Sequence, residues 1–165
     1  MKLNKSVMKK LVLFALFGAL FALPVKSQDV FNQVVNNSKK VIDDPKANPF
    51  MLAISQFKYT ALNYLCNTAI KQNGGGVKGD WLDRQAYGLN HFIISYFTDL
   101  SNAPKNNDKI KKEIMLHYWK ACSDNMLFQG QDKEVTEVFI QDRDCITPFS
   151  LNTDWEKADK AISKE

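Results

Sequence analysis

The chain has 165 residues, 22 Lys+Arg against 18 Asp+Glu, a formal net charge of +4, and 45% hydrophobic residues. Aromatics are frequent (eleven Phe, five Tyr, three Trp) and prolines are few, which excludes an intrinsically disordered chain. The positive charge is concentrated at one end, so it does not argue for a nucleic-acid partner.

The first ten residues carry Lys2, Lys5, Lys9 and Lys10 and no acid. Leu11 to Leu23 then gives thirteen apolar residues, followed by Pro24-Val25-Lys26-Ser27. A basic start, an apolar stretch and small residues at Val25 and Ser27 have the order of a secretory signal peptide, with cleavage expected after Ser27. As a helix the apolar stretch spans only roughly 20 Å, short of a bilayer core near 30 Å, so a permanent anchor is disfavoured. Removing residues 1–27 takes away five lysines, and the formal +4 becomes −1 for residues 28–165. The expected setting is periplasmic or secreted, with no membrane anchor after cleavage and no nucleic acid. The remaining 138 residues make one domain with enough chain to bury a core.

Residues 29–43 place Val30, Phe31, Val34, Val35, Val41 and Ile42 at amphipathic spacing, and Asp43-Asp44-Pro45 ends that helix. Asn48-Pro49 opens a stronger one, since Asn caps and Pro suits the first helical position. Its stripe is Phe50, Ile54, Phe57, Ala61 and Leu65, and Asn73-Gly74-Gly75-Gly76 stops it after Gln72. The next helix opens at Gly79-Asp80, with Asp80 as expected cap and Asp83 in the first turn. Its stripe is Leu82, Ala86, Leu89, Ile93, Tyr96, Phe97 and Leu100. A further helix is expected from about Asn107 to Phe128, before Gly130. Val135 to Ile140 fits a helical turn or a short strand equally well. Asp142 to Leu151 reads as a surface loop. Thr153-Asp154-Trp155-Glu156 reads as a capping box with Thr153 at the cap, opening a final helix with Trp155, Ala158 and Ile162 on one face. Short linkers between the three main helices favour antiparallel neighbours. The expected fold is all-α: an up-and-down helical bundle with a helical N-terminal arm, a short irregular C-terminal extension and a final helix.

The segments FKYTALNYLCNTAI, WLDRQAYGLNHFI and ITPFSLNTDWEKA resemble parts of small exported helical proteins of unknown function from Bacteroidota-type bacteria. The resemblance implies a helical domain and a periplasmic or secreted setting. It brings no activity and no site.

Few residues break the packing pattern. Lys58 falls inside the apolar arc of its helix, so it must snorkel, pair or lose its charge. With a hairpin turning near Gly76, Asn90 in the apolar arc of the following helix comes within reach as an acceptor. Asp83 lies too far along to help. Lys58 and Asn90 are thus candidate groups for a polar interhelical pocket that would take an acidic ligand. Trp81 and Trp119 sit toward the flanks of their helices and are candidate contact groups for a partner. His91 is expected to face solvent among Arg84, Ser95 and Thr98, and His117 to sit at the edge of its apolar arc. Of Cys66, Cys122 and Cys145, the pair Cys122–Cys145 is the preferred disulfide in an oxidising compartment.

No metal site is expected, since neither HExxH nor paired cysteines occur, and Asp142-Arg143-Asp144 lacks calcium-loop spacing. The glycines of Asn73–Asp80 follow a helix and lack the Gly-Lys-Ser/Thr order of a phosphate loop. No GxSxG, SxxK or Cys–His signature appears, so no catalytic residue and no cofactor is expected. The sequence therefore favours a non-catalytic binding or interaction module, for a protein or small-molecule partner. The competing class is a periplasmic enzyme using an interhelical polar pocket around Lys58.

Overall fold

A computed structural model describes residues 29–130, 137–142 and 145–163, the strand residues through 148 by backbone alone. The expected signal peptide lies outside the described residues. Five helices and one hairpin follow in order: α1 Asp29–Ile42, α2 Pro49–Gln72, α3 Gly79–Asn102, α4 Asp108–Ser123, β1 Glu137–Asp142, β2 Cys145–Ser150 and α5 Trp155–Ile162. The chain is an all-α helical bundle with a small antiparallel hairpin attached. No helix of the described residues is long and apolar enough to cross a membrane.

Local chemistry sets most helix ends. The Asn48 side chain accepts from the Phe50 N–H at 2.9 Å, and Pro49 takes the first helical position. Past Gln72, Gly74 and Gly75 adopt positive φ of 70° and 126°, which lets the Gly75 N–H return to the Ile70 carbonyl at 3.1 Å. Asp80 does not cap α3. The cap position is Lys78, whose side chain makes no capping bond, and Asp80 lies within the first turn, paired with Arg84 at 3.0 Å. Asn107 caps α4 by accepting from Ile110 N–H at 3.2 Å.

α4 stops at Ser123, well before the expected Phe128. The Asn125 amide donates back to the Ala121 carbonyl at 2.8 Å, and Met126 then leaves the helix to bridge Thr153. Asn152 holds this segment in place. Its side chain accepts from Phe128 N–H at 2.8 Å and donates to the Phe128 carbonyl at 2.6 Å. Asn152 is fully buried, so both bonds satisfy backbone groups that no water reaches.

The stretch Asp142 to Leu151 is largely a strand rather than a loop. Glu137 pairs with Ser150 and Asp142 with Cys145, with Phe139 opposite Pro148 in between. Proline lacks the ladder donor, and only a sheet with free edges tolerates it; this sheet has two strands, both of them edges. The cap of α5 is Asp154 rather than Thr153. Asp154 accepts from Lys157 N–H at 3.3 Å, while the Thr153 hydroxyl donates to the Ser150 carbonyl at 2.8 Å.

The core is an aromatic cluster centred on Trp155. Its ring meets Phe57 edge-on at 5.8 Å and Phe92 at 5.6 Å, and Phe149 lies 5.6 Å from Phe92 and 5.2 Å from Tyr96. Edge-to-face pairs of this kind add about 0.5–1.5 kcal/mol each beyond burial. Gly88 makes the geometry attainable. A Cβ there would stand 2.6 Å from the Trp155 carbonyl oxygen, so α5 meets α3 backbone to backbone. Gln85, one turn before, reads that junction: its carbonyl accepts from Trp155 N–H at 2.8 Å and its amide donates to Asp154 at 2.9 Å.

Candidate functional site

Lys58 and Asn90 meet as their places in the two apolar arcs require. The Lys58 ammonium donates to the Asn90 side-chain oxygen at 2.5 Å, bridging α2 to α3. Both residues are buried, Lys58 at 5% exposure. Burial disfavours the charged form and lowers the Lys58 pKa from 10.5 to about 8. α1 lies against both α2 and α3. Its start is tied to α3 by the Phe31 N–H, which donates to Asp83 at 2.9 Å. Asp83 and Asn90 are two helical turns apart on one face of α3, so the face that carries Asn90 is the one that receives α1. An amine near neutrality is competent as a base or nucleophile. At this position, however, the side chain lies buried between packed helices.

The two tryptophans differ. Trp81 is partly buried and packs against the core cluster. Trp119 is 40% exposed, and Leu116, one turn before it on α4, is 60% exposed. A shallow open hollow beside Leu116 is lined by Asp108, Lys109, Lys112 and Glu113. The outer side of α4 therefore combines two large apolar side chains with charges of both signs.

His91 does not stand alone in solvent. Its Nδ1 lies 2.6 Å from an Asp159 carboxylate oxygen on α5, and the Tyr87 ring lies parallel to the imidazole at 6.1 Å between centroids. The imidazole side chain keeps 42% exposure. Burial raises the Asp159 pKa, against the opposing pull of His91. Beside this pair, Arg84 bridges Asp80 and Glu156 at 3.0 Å each, and Lys160 reaches Glu156 at 2.6 Å. These contacts fasten α5 along α3. His117 sits edge-on to Tyr118 at 5.6 Å. The Tyr118 hydroxyl donates to Asp99 at 2.6 Å, and burial together with that carboxylate pushes its pKa far up.

Cys66 and Cys122 are free thiols. Burial pushes the Cys122 pKa well above the ordinary thiol range, with a bond to the Thr153 side chain opposing it. A thiol held protonated in this way is a poor nucleophile. The Cys145 side chain lies outside the described residues, as do Arg143 and Asp144. Among the described residues no group of three His, Cys, Asp or Glu side chains converges to hold a metal.

Gln85, Asn152 and Asp159 matter to this architecture, and the sequence offered no local sign of it. Each acts through a partner at least 24 positions away. Fold and surface together define a helical bundle with a filled aromatic core and an apolar, charged outer helix. No family model, curated protein or solved structure matches this chain.

Proposed function

We propose that the protein is an exported, non-catalytic helical interaction module that acts in a periplasmic or secreted setting. The leader-like residues 1–27 and the resemblance to small exported helical proteins support the export half of this reading. The observation that carries the contact half is the side-by-side exposure of Leu116 and Trp119 on α4. Large apolar groups clustered on an otherwise charged helix are what partner surfaces use. The partner is a protein surface rather than an enclosed small molecule. The Cys122 thiol is free in this structure, so a bond to Cys145 forms no part of the proposal.

One observation favours the enzyme reading, namely the lowered pKa of Lys58. Its enclosure with Asn90 weighs more, because catalysis needs contact with substrate and Lys58 as a whole has 5% exposure. The test has two arms. Sequencing the N-terminus of the protein recovered from the periplasm or medium should begin at Gln28. A photo-crosslinking residue placed at Leu116 in the native cell should give an adduct of defined mass, and one at the exposed Lys46 should not. Retention of the leader defeats the export half, and no adduct at Leu116 defeats the contact half.

A further inference from the structure

The charges on α4 are ordered so that the helix complements itself. Its exposed side runs Lys109, Lys112, Glu113, Leu116, Trp119, Lys120, ending at exposed Asp124. Two copies can be set antiparallel about a two-fold axis passing between residues 116 and 117. Glu113 and Lys120 are then equidistant from the axis, and so are Lys109 and Asp124. Glu113 of one copy falls opposite Lys120 of the other, and Lys109 opposite Asp124. Each of these two opposite-sign pairs is therefore made twice. These four charges share one stripe of the helix, with Leu116 beside it and Trp119 further round the same outer side. Within one chain these charges hold only loose contacts, Lys109 to Glu113 at 3.8 Å with both ends exposed, so they are available.

We propose that the outer face of α4 is a self-complementary interface that docks a second copy of this chain antiparallel. The inference rests on reading α4 as the contact face and names its partner. A helix of 16 residues offers a face about 24 Å long and about 10 Å wide, or about 240 Å², less than the roughly 800 Å² per partner of a stable dimer. The dimer is accordingly weak, reversible and sensitive to salt.

Sedimentation velocity over a wide concentration range tests this on the leader-free protein. The wild-type chain should self-associate at low salt and less at high salt. Glu113→Lys should weaken association about tenfold, because two attractions become two repulsions. Lys120→Glu should do the same. The double variant Glu113→Lys with Lys120→Glu restores opposite signs and should recover the wild-type affinity. Both positions are exposed, and circular dichroism verifies that the fold is kept. A chain that stays monomeric throughout overturns the proposal, and so does association that the single variants leave unchanged or the double variant fails to recover. If the chain is monomeric while Leu116 crosslinks a different protein, the contact reading stands and self-docking falls.

Discussion

Lys58 and Asn90 form a buried, charge-assisted hydrogen bond across α2 and α3, at 2.5 Å. Both partners are buried, so water is a poor substitute for either. Removing one member strands the other, whereas replacing both by apolar groups relieves the burial of both. Asn90→Ala should cost about 3 kcal/mol of stability. Lys58→Met with Asn90→Leu should be near neutral. Urea unfolding of the wild type, Asn90→Ala and the double variant checks this. A loss under about 0.5 kcal/mol for Asn90→Ala would show that the bond is not made in solution.

Lys58 also predicts a pH dependence of definite sign. The unfolded chain holds the lysine proton up to 10.5, and the folded chain releases it near 8. Between these values the unfolded state binds more protons, so stability rises with pH. Below 8 both states are charged and the burial cost is fully present. The wild-type protein should gain up to about 3 kcal/mol relative to Lys58→Met across this window. The comparison with Lys58→Met matters because Tyr118 and Cys122, with raised pKa values, work in the opposite direction at alkaline pH. Parallel stability curves for the two proteins would contradict the buried ammonium.

Gly88→Ala sets helix propensity against packing. Alanine favours the helical interior by about 1 kcal/mol. The new Cβ would meet Trp155 O at 2.6 Å, Trp155 C at 2.7 Å and Glu156 N at 2.9 Å, all backbone. Backbone atoms cannot rotate aside, so α5 must lift from α3. A net loss of about 2 kcal/mol is expected in thermal unfolding. A neutral or stabilised variant would mean that α5 is seated more loosely than the structure has it.

Gln85→Glu tests the junction by charge alone. The Gln85 amide donates to the Asp154 carboxylate at 2.9 Å, and glutamate would put a second carboxylate there. The variant should lose about 2 kcal/mol near neutral pH, and the loss should shrink in acid as the introduced carboxyl takes up a proton. Chemical denaturation at pH 7 and in mild acid measures it. A loss independent of pH would assign the effect to packing.

The bundle was legible where local rules decide. Periodicity in α2 and α3 predicted the buried stripes through Ile54, Phe57, Leu65, Leu89 and Ile93, and Asn48-Pro49 marked a true start. Lys58 and Asn90 were legible as neighbours because each interrupted an apolar arc and the linker between them is short. The C-terminal third was not. Strand β2 exists through its ladder to β1, and six residues with a proline carry too little pattern to reveal it. Thr153 looked like the cap, but the chain's path out of the Met126–Thr153 bridge makes Asp154 the residue that turns into the helix. His91 looked solvent-facing because no carboxylate lies within a turn of it on its own helix. Asp159 arrives from 68 positions away.

The central place of Trp155 has a consequence for biosynthesis. Its ring fills the space between Phe57 and Phe92, and its backbone lies on Gly88. A chain delivered N-terminus first, from the ribosome or across a membrane, presents α2 and α3 before it presents this plug. Until residue 155 is in place the two helices have each other, α1 and α4 to lean on, and the space its ring fills stays open. A chain cut short before that tryptophan should therefore lack a closed interior, since no earlier residue fills the same space.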